Sequence, residues 1–275
     1  MFLERGGASA AALVCLTRMA KRVELSPEGL EAQRYGMVES QLRARGLYDE
    51  RVLAAMARVP RHEFVAEVFW DQAYEDHPVP IGEGQTVSQP YIVAIMLQAA
   101  ALQTSDKVLE VGTGSGYQTA LLAELAAEVY SLERHYSLAE NARNTLRRLG
   151  YLDGPPLFEN RERSARPDGQ EIPPIENYDG WGGRGRVHLS VGDGSQGWPE
   201  NAPFDVIIVS AAAPRIPRSL FEQLKEGGRM AIPVGPAHAQ ELQRMVKREG
   251  NPVISVVEGC RFVPLIGSEG YSPDW

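Results

Sequence analysis

Short apolar runs rich in β-branched residues alternate with helix-like segments from residue 107 onward. Apolar strands that alternate with helices are typical of a parallel sheet covered by helices on both faces. The predicted strands are 107–111, 128–132, 186–191, 205–210 and 228–233, and the predicted helices are 117–126, 136–149 and 217–224. The β-rich runs between Glu241 and Val263 predict antiparallel strands at the sheet edge. We therefore expect an α/β fold with a doubly wound, mostly parallel sheet and antiparallel C-terminal edge strands.

The chain before residue 107 predicts a helical N-terminal extension instead. A helix from Pro27 to Arg45 is predicted because Ser26 is a favourable N-cap and proline suits the first helical position. A second helix runs from Asp49, its cap, to Ala57, and a third runs from Pro90 to Leu102. Between them, Tyr74 to Val87 is rich in proline and glycine, which predicts a loop with a small pair of strands.

Two stretches do not fit a compact domain. Residues 1–25 are predicted to form a poorly ordered tail. Gly154 to Arg184 contains five prolines and no periodicity, so residues 153–184 predict a surface insertion. The remainder, 26–275, is expected to be one domain, with a helical part and a site loop over 26–105 and a core over 106–271.

Composition narrows the class of protein. The net charge of −8 and the pI near 5.3 argue against a broad nucleic-acid-binding surface, which would be basic. No apolar run approaches the length of a membrane span, so no membrane contact is expected. The histidines and cysteines lack metal-ligand spacing, and no metal site is expected. Only two cysteines are present, Cys15 and Cys260, which favours a reducing compartment, and we expect a cytoplasmic protein. We also expect a monomer.

The segment that follows the first predicted strand of the core is the strongest candidate for chemistry. Three glycines alternate with small residues at 112, 114 and 116, and a helical pattern begins at Tyr117. Glycines permit the backbone angles of such a turn and let a ligand lie against the main chain. The spacing departs from the Gly-x-Gly-x-x-Gly of dinucleotide sites, because Tyr117 takes the sixth position. With Glu110 before it, the segment resembles the first motif of S-adenosylmethionine-dependent methyltransferases; a dinucleotide site and a purely structural turn are the alternatives.

A second acid ends the next predicted strand. Glu133 follows the loop by about twenty residues, the distance at which an acidic residue binds ribose hydroxyls in nucleotide-type sites. A solvated acid at a strand end is the alternative.

Several further segments, taken in order, carry a more specific resemblance. They are Gly84-Gln85-Thr86-Val87-Ser88-Gln89-Pro90-Tyr91, Val191-Gly192-Asp193-Gly194, Ser210-Ala211-Ala212-Ala213-Pro214, Gly227-Gly228-Arg229 and Phe262-Val263-Pro264-Leu265. Together they resemble protein-L-isoaspartate (D-aspartate) O-methyltransferases, from about Gln33 to Tyr271. Pro60-Arg61-His62 also looks like the helical N-terminal part of that family. Ile266 is a departure, since family members often carry threonine there.

The resemblance implies a Rossmann-like fold and a repair enzyme that takes its methyl group from S-adenosylmethionine. The acceptor would be the free α-carboxylate of an isoaspartyl or D-aspartyl residue in a damaged protein or peptide, and the ester would then close to a succinimide. The implied catalytic residue is Ser88, which would also bind substrate. The implied cofactor residues are Gln85, Thr86, Val87, Glu110, Gly112, Thr113, Gly114, Glu133, Arg134, Gly192 and Asp193, and the implied substrate residues are Ala211, Ala212, Ala213 and Pro214.

Other interpretations remain open from the sequence. Ser88 or Gln89 is also placed to cap the helix that begins at Pro90, and Asp193 is an ordinary turn residue in Gly-Asp-Gly. The alanines after Ser210 are also consistent with simple tight packing of a loop. A dedicated peptide-tailoring or small-molecule carboxyl methyltransferase is the alternative activity. A non-catalytic cofactor-binding protein is the alternative class.

Overall fold

A seven-stranded sheet forms the centre of the protein. The computed structural model describes residues 25–152, 185–236 and 238–272. The strands are β1 (Val79–Gly82), β2 (Gln85–Val87), β3 (Lys107–Val111), β4 (Glu128–Glu133), β5 (Arg186–Val191), β6 (Phe204–Val209), β7 (Leu224–Val234), β8 (Gln240–Arg248) and β9 (Asn251–Cys260). β1 and β2 form a separate antiparallel hairpin, and the sheet has the order β5-β4-β3-β6-β7-β8-β9. β3 to β7 are parallel, while β8 and β9 add antiparallel at one edge, so the predicted fold class is confirmed.

Helices cover both faces of this sheet. They are α1 (Pro27–Met37), α2 (Glu50–Arg58), α3 (Pro90–Ala100), α4 (Tyr117–Leu125), α5 (Tyr136–Arg148) and α6 (Arg218–Glu222). Successive residues of a strand point to opposite faces. Val108 of β3 therefore packs into a core cluster with α2, α3 and α4, whereas Leu109 packs into a second cluster with Leu220 of α6. Burial on both faces explains why the central strands β3, β4 and β6 are largely apolar.

The helix starts in the N-terminal extension follow the capping residues in the sequence. The Ser26 hydroxyl accepts a hydrogen bond from the Gly29 amide at 3.1 Å, and the Asp49 carboxylate accepts one from the Arg51 amide at 3.0 Å. Both bonds satisfy amides that have no partner within their own helix. The predicted starts of α1 and α2 are confirmed, and the predicted strand pair within Tyr74–Val87 is the β1–β2 hairpin.

The prediction of one α-helix from Pro27 to Arg45 is wrong beyond Met37. There α1 ends, and a π-helical turn (Val38–Leu42) and a 3₁₀ turn (Arg43–Arg45) follow. The hydroxyl of Ser40, inside the π-helical turn, donates to the carbonyl four residues earlier at 2.6 Å. Such back-bonding competes with the regular ladder of an α-helix, which a pattern of apolar positions does not reveal.

Other boundaries differ from prediction by a few residues. The helix predicted over 217–224 is shortened to α6, and the strand predicted over 228–233 extends over the whole of β7. The predicted insertion over 153–184 and the predicted tail, apart from Leu25, lie outside the described residues. Within the described ranges, no helix combines the length and apolarity needed to cross a bilayer.

The sheet order places the predicted site residues at one edge. β3 has β4 on one side and β6 on the other, so the order of the sheet reverses at β3. Open α/β sheets bind ligands at such a switch point, outside the carboxyl ends of their strands. The glycine loop follows β3, Glu133 ends β4 and Ser210 follows β6, so all three lie at this switch point.

Gly116 provides a test of how α4 packs. It has a φ of +88° before α4, and a Cβ there would lie 3.3 Å from side-chain atoms of Ala142 and Leu146 in α5. Gly116→Ala should therefore lower the free energy of unfolding by about 1–2 kcal/mol. Gly36 in α1 has open space at its Cβ position, so Gly36→Ala should raise it by about 0.5–1 kcal/mol. Urea unfolding of both variants measures the two changes, and changes of the same sign would contradict this account of the packing.

Candidate active site

The loop after β3 presents bare main chain at the switch point. Gly112, Gly114 and Gly116 have φ angles of +95°, +55° and +88°, a region that residues with side chains rarely occupy. The Gly112 amide donates to the Leu132 carbonyl at 2.8 Å, which anchors the loop to the end of β4. A ligand that lies over this loop therefore meets backbone rather than side chains.

The Glu133 carboxylate, at the end of the neighbouring strand β4, binds the same loop through hydrogen bonds. One of its oxygens accepts a hydrogen bond from the Gly114 amide at 2.9 Å, and the other accepts one from the His135 amide at 2.9 Å. Glu133 is buried. A carboxylate oxygen can accept more than one hydrogen bond, so both oxygens keep capacity for a ligand hydroxyl.

The Glu110 carboxylate lies behind the loop rather than in front of it. It is fully buried and accepts hydrogen bonds from Gln118 at 3.0 Å, Thr119 at 2.5 Å and Ser131 at 2.6 Å. Burial raises the pKa of Glu110 to about 7, against the lowering effect of these three donors. Gln118 also donates to the Ser210 hydroxyl at 2.8 Å. Glu110 therefore positions Gln118 and supports the loop from behind.

An inner cavity lies between the glycine loop, the β1–β2 hairpin and the C-terminal segment 263–266. Most of the predicted site residues line it: Gln85, Thr86, Val87, Ser88, Gly112, Thr113, Gly114, Glu133, Arg134 and Ala211. Six predicted site residues are not among its lining residues: Glu110, Gly192, Asp193, Ala212, Ala213 and Pro214. The lining also includes four polar residues that are not among the predicted site residues: Ser115, Gln118, His135 and Ser210.

The Asp193 carboxylate is engaged by the protein itself. One oxygen accepts hydrogen bonds from the amide and hydroxyl of Ser195 at 2.9 and 2.7 Å, and the other accepts one from the Ser268 amide at 2.8 Å. Partial burial opposes ionisation, yet these hydrogen bonds hold the pKa of Asp193 below its ordinary value. Asp193 thus connects the turn after β5 with Ser268, just beyond the C-terminal segment 263–266. Its neighbour Gly194, rather than Asp193, lines the inner cavity.

The alanines after β6 anchor the same C-terminal segment. The Ala212 amide donates to the Val263 carbonyl at 2.8 Å, and the Leu265 amide donates back to the Ala212 carbonyl at 2.8 Å. Ala212 and Ala213 are fully buried, whereas Pro214 is exposed and lies outside both lining sets. The tight-packing interpretation therefore accounts for Ala212 and Ala213.

An outer cleft adjoins the inner cavity and shares a wall with it. The shared residues are Thr86, Ser88, Ser210, Val263 and Pro264. Beyond this wall the cleft is lined by Pro78, Gln89, Ile92 and the segment Gly259-Cys260-Arg261-Phe262. Arg261 is the one charged residue among those that line the cleft. Within the described chain, no group of three His, Cys, Asp or Glu side chains is arranged to hold a metal ion.

The interpretation of Ser88 as a helix cap is wrong. The N-cap of α3 is Gln89, and its side chain makes no capping hydrogen bond. In the described ranges no hydrogen bond involves the Ser88 hydroxyl, which lies in the wall between the inner cavity and the outer cleft. The hydroxyl is therefore available to a ligand.

Comparison with known proteins decides the family. The family model for protein-L-isoaspartate(D-aspartate) O-methyltransferase matches residues 33–270. The chain belongs to this family. A protein-L-isoaspartate O-methyltransferase from Koribacter versatilis is 48% identical over 245 residues, which cover 89% of this chain and 96% of that protein.

Solved structures agree with the family's fold. A protein-L-isoaspartate O-methyltransferase superposes with a TM-score of 0.67 at 27% identity, over 86% of this chain and 67% of that one. A Plasmodium falciparum protein described as a protein-L-isoaspartate O-methyltransferase superposes with a TM-score of 0.64 at 24% identity, over 85% of this chain and 98% of that one. The enzymatic activity of this methyltransferase family is O-methylation of L-isoaspartyl and D-aspartyl residues in proteins, and this chain is a member.

The residues that sequence reasoning missed had weak local signals. Ser210 directly follows the central strand β6. Its position at the carboxyl end of that strand, next to the switch point, is the signal that could have identified it. Gln118 lies in the first turn of α4, where nothing in the sequence marks its hydrogen bond to Ser210. Arg261 reaches the cleft only because β9 ends beside the Thr86–Ser88 segment.

The protonation of Glu110 is testable through the stability of this methyltransferase. Its folded pKa of about 7 lies above the ordinary value of 4.5, so the folded protein holds a proton that the unfolded chain releases between these values. The free energy of unfolding should therefore fall as pH rises through this window, on the order of 3 kcal/mol from this group. Glu110→Gln lacks that contribution and should lose less stability between about pH 5 and pH 8. Urea unfolding of both proteins at both pH values measures this, and parallel pH profiles would contradict the assignment.

Proposed function

We propose that this chain methylates the α-carboxylate of isoaspartyl residues with S-adenosylmethionine held in the inner cavity and with Ser88 orienting the acceptor. The observation that carries the proposal is the position of Ser88 in the wall shared by the inner cavity and the outer cleft. A methyl donor on one side of this wall and a peptide carboxylate on the other would both be next to the Ser88 hydroxyl.

The residues around the inner cavity suit a cationic cofactor that carries an amino acid and a nucleoside. S-adenosylmethionine supplies a methyl group that its sulfonium centre activates for transfer. Gly112 and Gly114 offer bare backbone beneath the ligand, and Glu133 offers carboxylate capacity for ribose hydroxyls. The Plasmodium falciparum structure is a complex with S-adenosyl-L-homocysteine, the demethylated form of this cofactor, which supports the same class of ligand here.

The acceptor side of the reaction requires orientation rather than a strong base. An isoaspartyl α-carboxylate is already ionised at neutral pH and is a competent nucleophile. The Ser88 hydroxyl donates a hydrogen bond to one carboxylate oxygen and so directs the other oxygen towards the methyl group. Val263 and Pro264, in the same wall, keep water away from the reacting oxygen.

The outer cleft suits an anionic polypeptide. Among the described residues that line it, Arg261 is the one that carries a charge, and it is exposed, so an acceptor carboxylate meets a positive charge as it enters. The nitrogen of the following peptide bond then attacks the ester carbonyl and expels methanol, which gives a succinimide without further catalysis. Water opens the succinimide in part to normal aspartate, so the net result is repair.

Several finer properties belong to the same proposal. The net charge of −8 supports proteins or peptides, rather than nucleic acid, as partners. Two cysteines in 275 residues suit a cytoplasmic enzyme. A single domain over 26–275 stays a prediction that one cooperative unfolding transition checks. A monomeric state stays a prediction that a mass measurement in solution checks.

The direct test measures methyl transfer from labelled S-adenosylmethionine to two matched peptides that differ only in isoaspartate or normal aspartate. The isoaspartyl peptide alone should be labelled. Ser88→Ala should lower kcat about tenfold to a hundredfold, because one hydrogen bond to a charged acceptor is lost, with little change in the cofactor Kd.

Ser105→Ala is the matched control, because Ser105 is an exposed turn residue before β3, at the opposite end of the strand from the site. It should leave kcat unchanged. Unchanged turnover in Ser88→Ala would remove Ser88 from catalysis. Cofactor binding without labelling of either peptide would favour a dedicated acceptor, and labelling of both peptides equally would refute the isoaspartyl preference.

A further inference from the structure

Arg61 is a buried cation whose hydrogen bonds within the described chain all go to backbone carbonyls. Its side chain is fully buried, and Nε donates to the Ala73 carbonyl at 2.7 Å while Nη2 donates to the Ser88 carbonyl at 2.8 Å. In the described part of the chain no carboxylate lies within ion-pair distance of Arg61, and Nη1 has no hydrogen-bond partner. Burial lowers the pKa of the Arg61 guanidinium, and Asp76, whose carboxylate pairs with Arg45, opposes this only through space. The two carbonyls are therefore its direct polar partners among the described residues.

The Arg61 guanidinium connects Ser88 with Ala73 and with Tyr117, which lies in the wall of the inner cavity. Ala73 follows a 3₁₀ turn (Glu67–Gln72), and Arg61 itself begins another (Arg61–Phe64). The Arg61 guanidinium carbon also lies 4.9 Å from the ring centre of Tyr117, which lines the inner cavity. A planar guanidinium fixes the direction of its donors, so it constrains the carbonyls that it binds more tightly than an ammonium would.

Ser88 needs such a constraint because regular structure does not hold it. β2 ends at Val87, whose partner is Val79, and α3 begins at Pro90, which has no amide hydrogen. Gln89 adds no side-chain cap. Ser88 therefore lies between a strand and a helix, and the Arg61 guanidinium is the group that bonds its carbonyl.

We propose that Arg61 is a positioning residue that holds the Ser88 backbone so that the Ser88 hydroxyl faces the acceptor carboxylate. This inference rests on the proposed function of Ser88. Arg61 touches neither ligand, since it is absent from the lining of both the inner cavity and the outer cleft. Its effect on the reaction passes through Ser88.

The chain offers a closely matched control. Arg51 also bonds two backbone carbonyls, those of Leu102 and Leu125, each at 2.7 Å, and these lie at the ends of α3 and α4 away from the site. Arg51→Lys therefore removes the same kind of bidentate contact without touching Ser88. Arg61→Lys keeps the charge but cannot reproduce the two fixed donor directions.

The experiment measures kcat and KM for the isoaspartyl peptide, the Kd of S-adenosylmethionine and the urea midpoint in Arg61→Lys, Ser88→Ala, their double variant and Arg51→Lys. Arg61→Lys should lower kcat about tenfold while the Kd changes less than about threefold. In the Ser88→Ala background the same change should lower kcat less than about twofold, because two residues that act as one unit are not additive. Arg51→Lys should lower the urea midpoint and leave kcat within about twofold of the wild type.

Full additivity of Arg61→Lys and Ser88→Ala would overturn the proposal, as would an equal loss of kcat in Arg51→Lys. If Arg61→Lys does not fold, Arg61→Gln takes its place. Loss of folded protein in both would assign Arg61 to folding alone and also overturn the proposal. Failure of the proposed function is seen separately, as absence of labelling by the wild type or full turnover in Ser88→Ala.

Discussion

The main chain between β3 and α4 has to turn sharply and leave one surface bare, and this constraint shapes the rest of the site. Glycines at 112, 114 and 116 meet it through positive φ angles. Such a loop has little packing of its own, so neighbouring strands must hold it. Glu133, at the end of β4, holds the loop by accepting a hydrogen bond from the Gly114 amide. The buried Glu110 supports the loop from behind, where it accepts a hydrogen bond from Gln118.

The other walls of the site are supports of the same kind. The C-terminal segment 263–266 pairs with Ala212, and Ser268 is bonded to Asp193, so the end of the chain is fastened over the carboxyl edge of the sheet. The Arg61 guanidinium donates a hydrogen bond to the Ser88 carbonyl and so holds the backbone there. Beside the β1–β2 hairpin, the inner cavity is therefore bounded by short segments that contacts from neighbouring parts of the chain hold in place. These contacts set how precisely donor and acceptor meet, because a small misplacement of reacting groups costs much of the rate.

The centre of the sheet is predictable from the sequence because β3, β4 and β6 are buried on both faces. Val108 and Leu109 pack into opposite core clusters, so the apolar runs mark the strands directly. The π-helical turn after Met37 was not predictable, because it accompanies a side-chain hydrogen bond of Ser40 rather than a change in the apolar pattern. For the site, the glycine loop and Glu133 were found because strand ends at a switch point are where ligands bind. One partner of each buried or half-buried carboxylate lies on another element: Ser131 of β4 for Glu110, and Ser268 for Asp193. A motif cannot show whether such a carboxylate faces a ligand or a neighbouring segment.

One wall, with Ser88 in it, separates the proposed cofactor cavity from the proposed acceptor cleft. Hydrogen exchange of the backbone amides tests this arrangement when it is measured with S-adenosyl-L-homocysteine alone and then with an isoaspartyl peptide added. We expect the first ligand to slow exchange in 85–88, 112–118, 133–135 and 263–266, and the peptide to add protection in 259–262 and at the start of α3. Protection by the first ligand that leaves 112–118 and 263–266 unchanged, or protection by the peptide that leaves 259–262 unchanged, would contradict it.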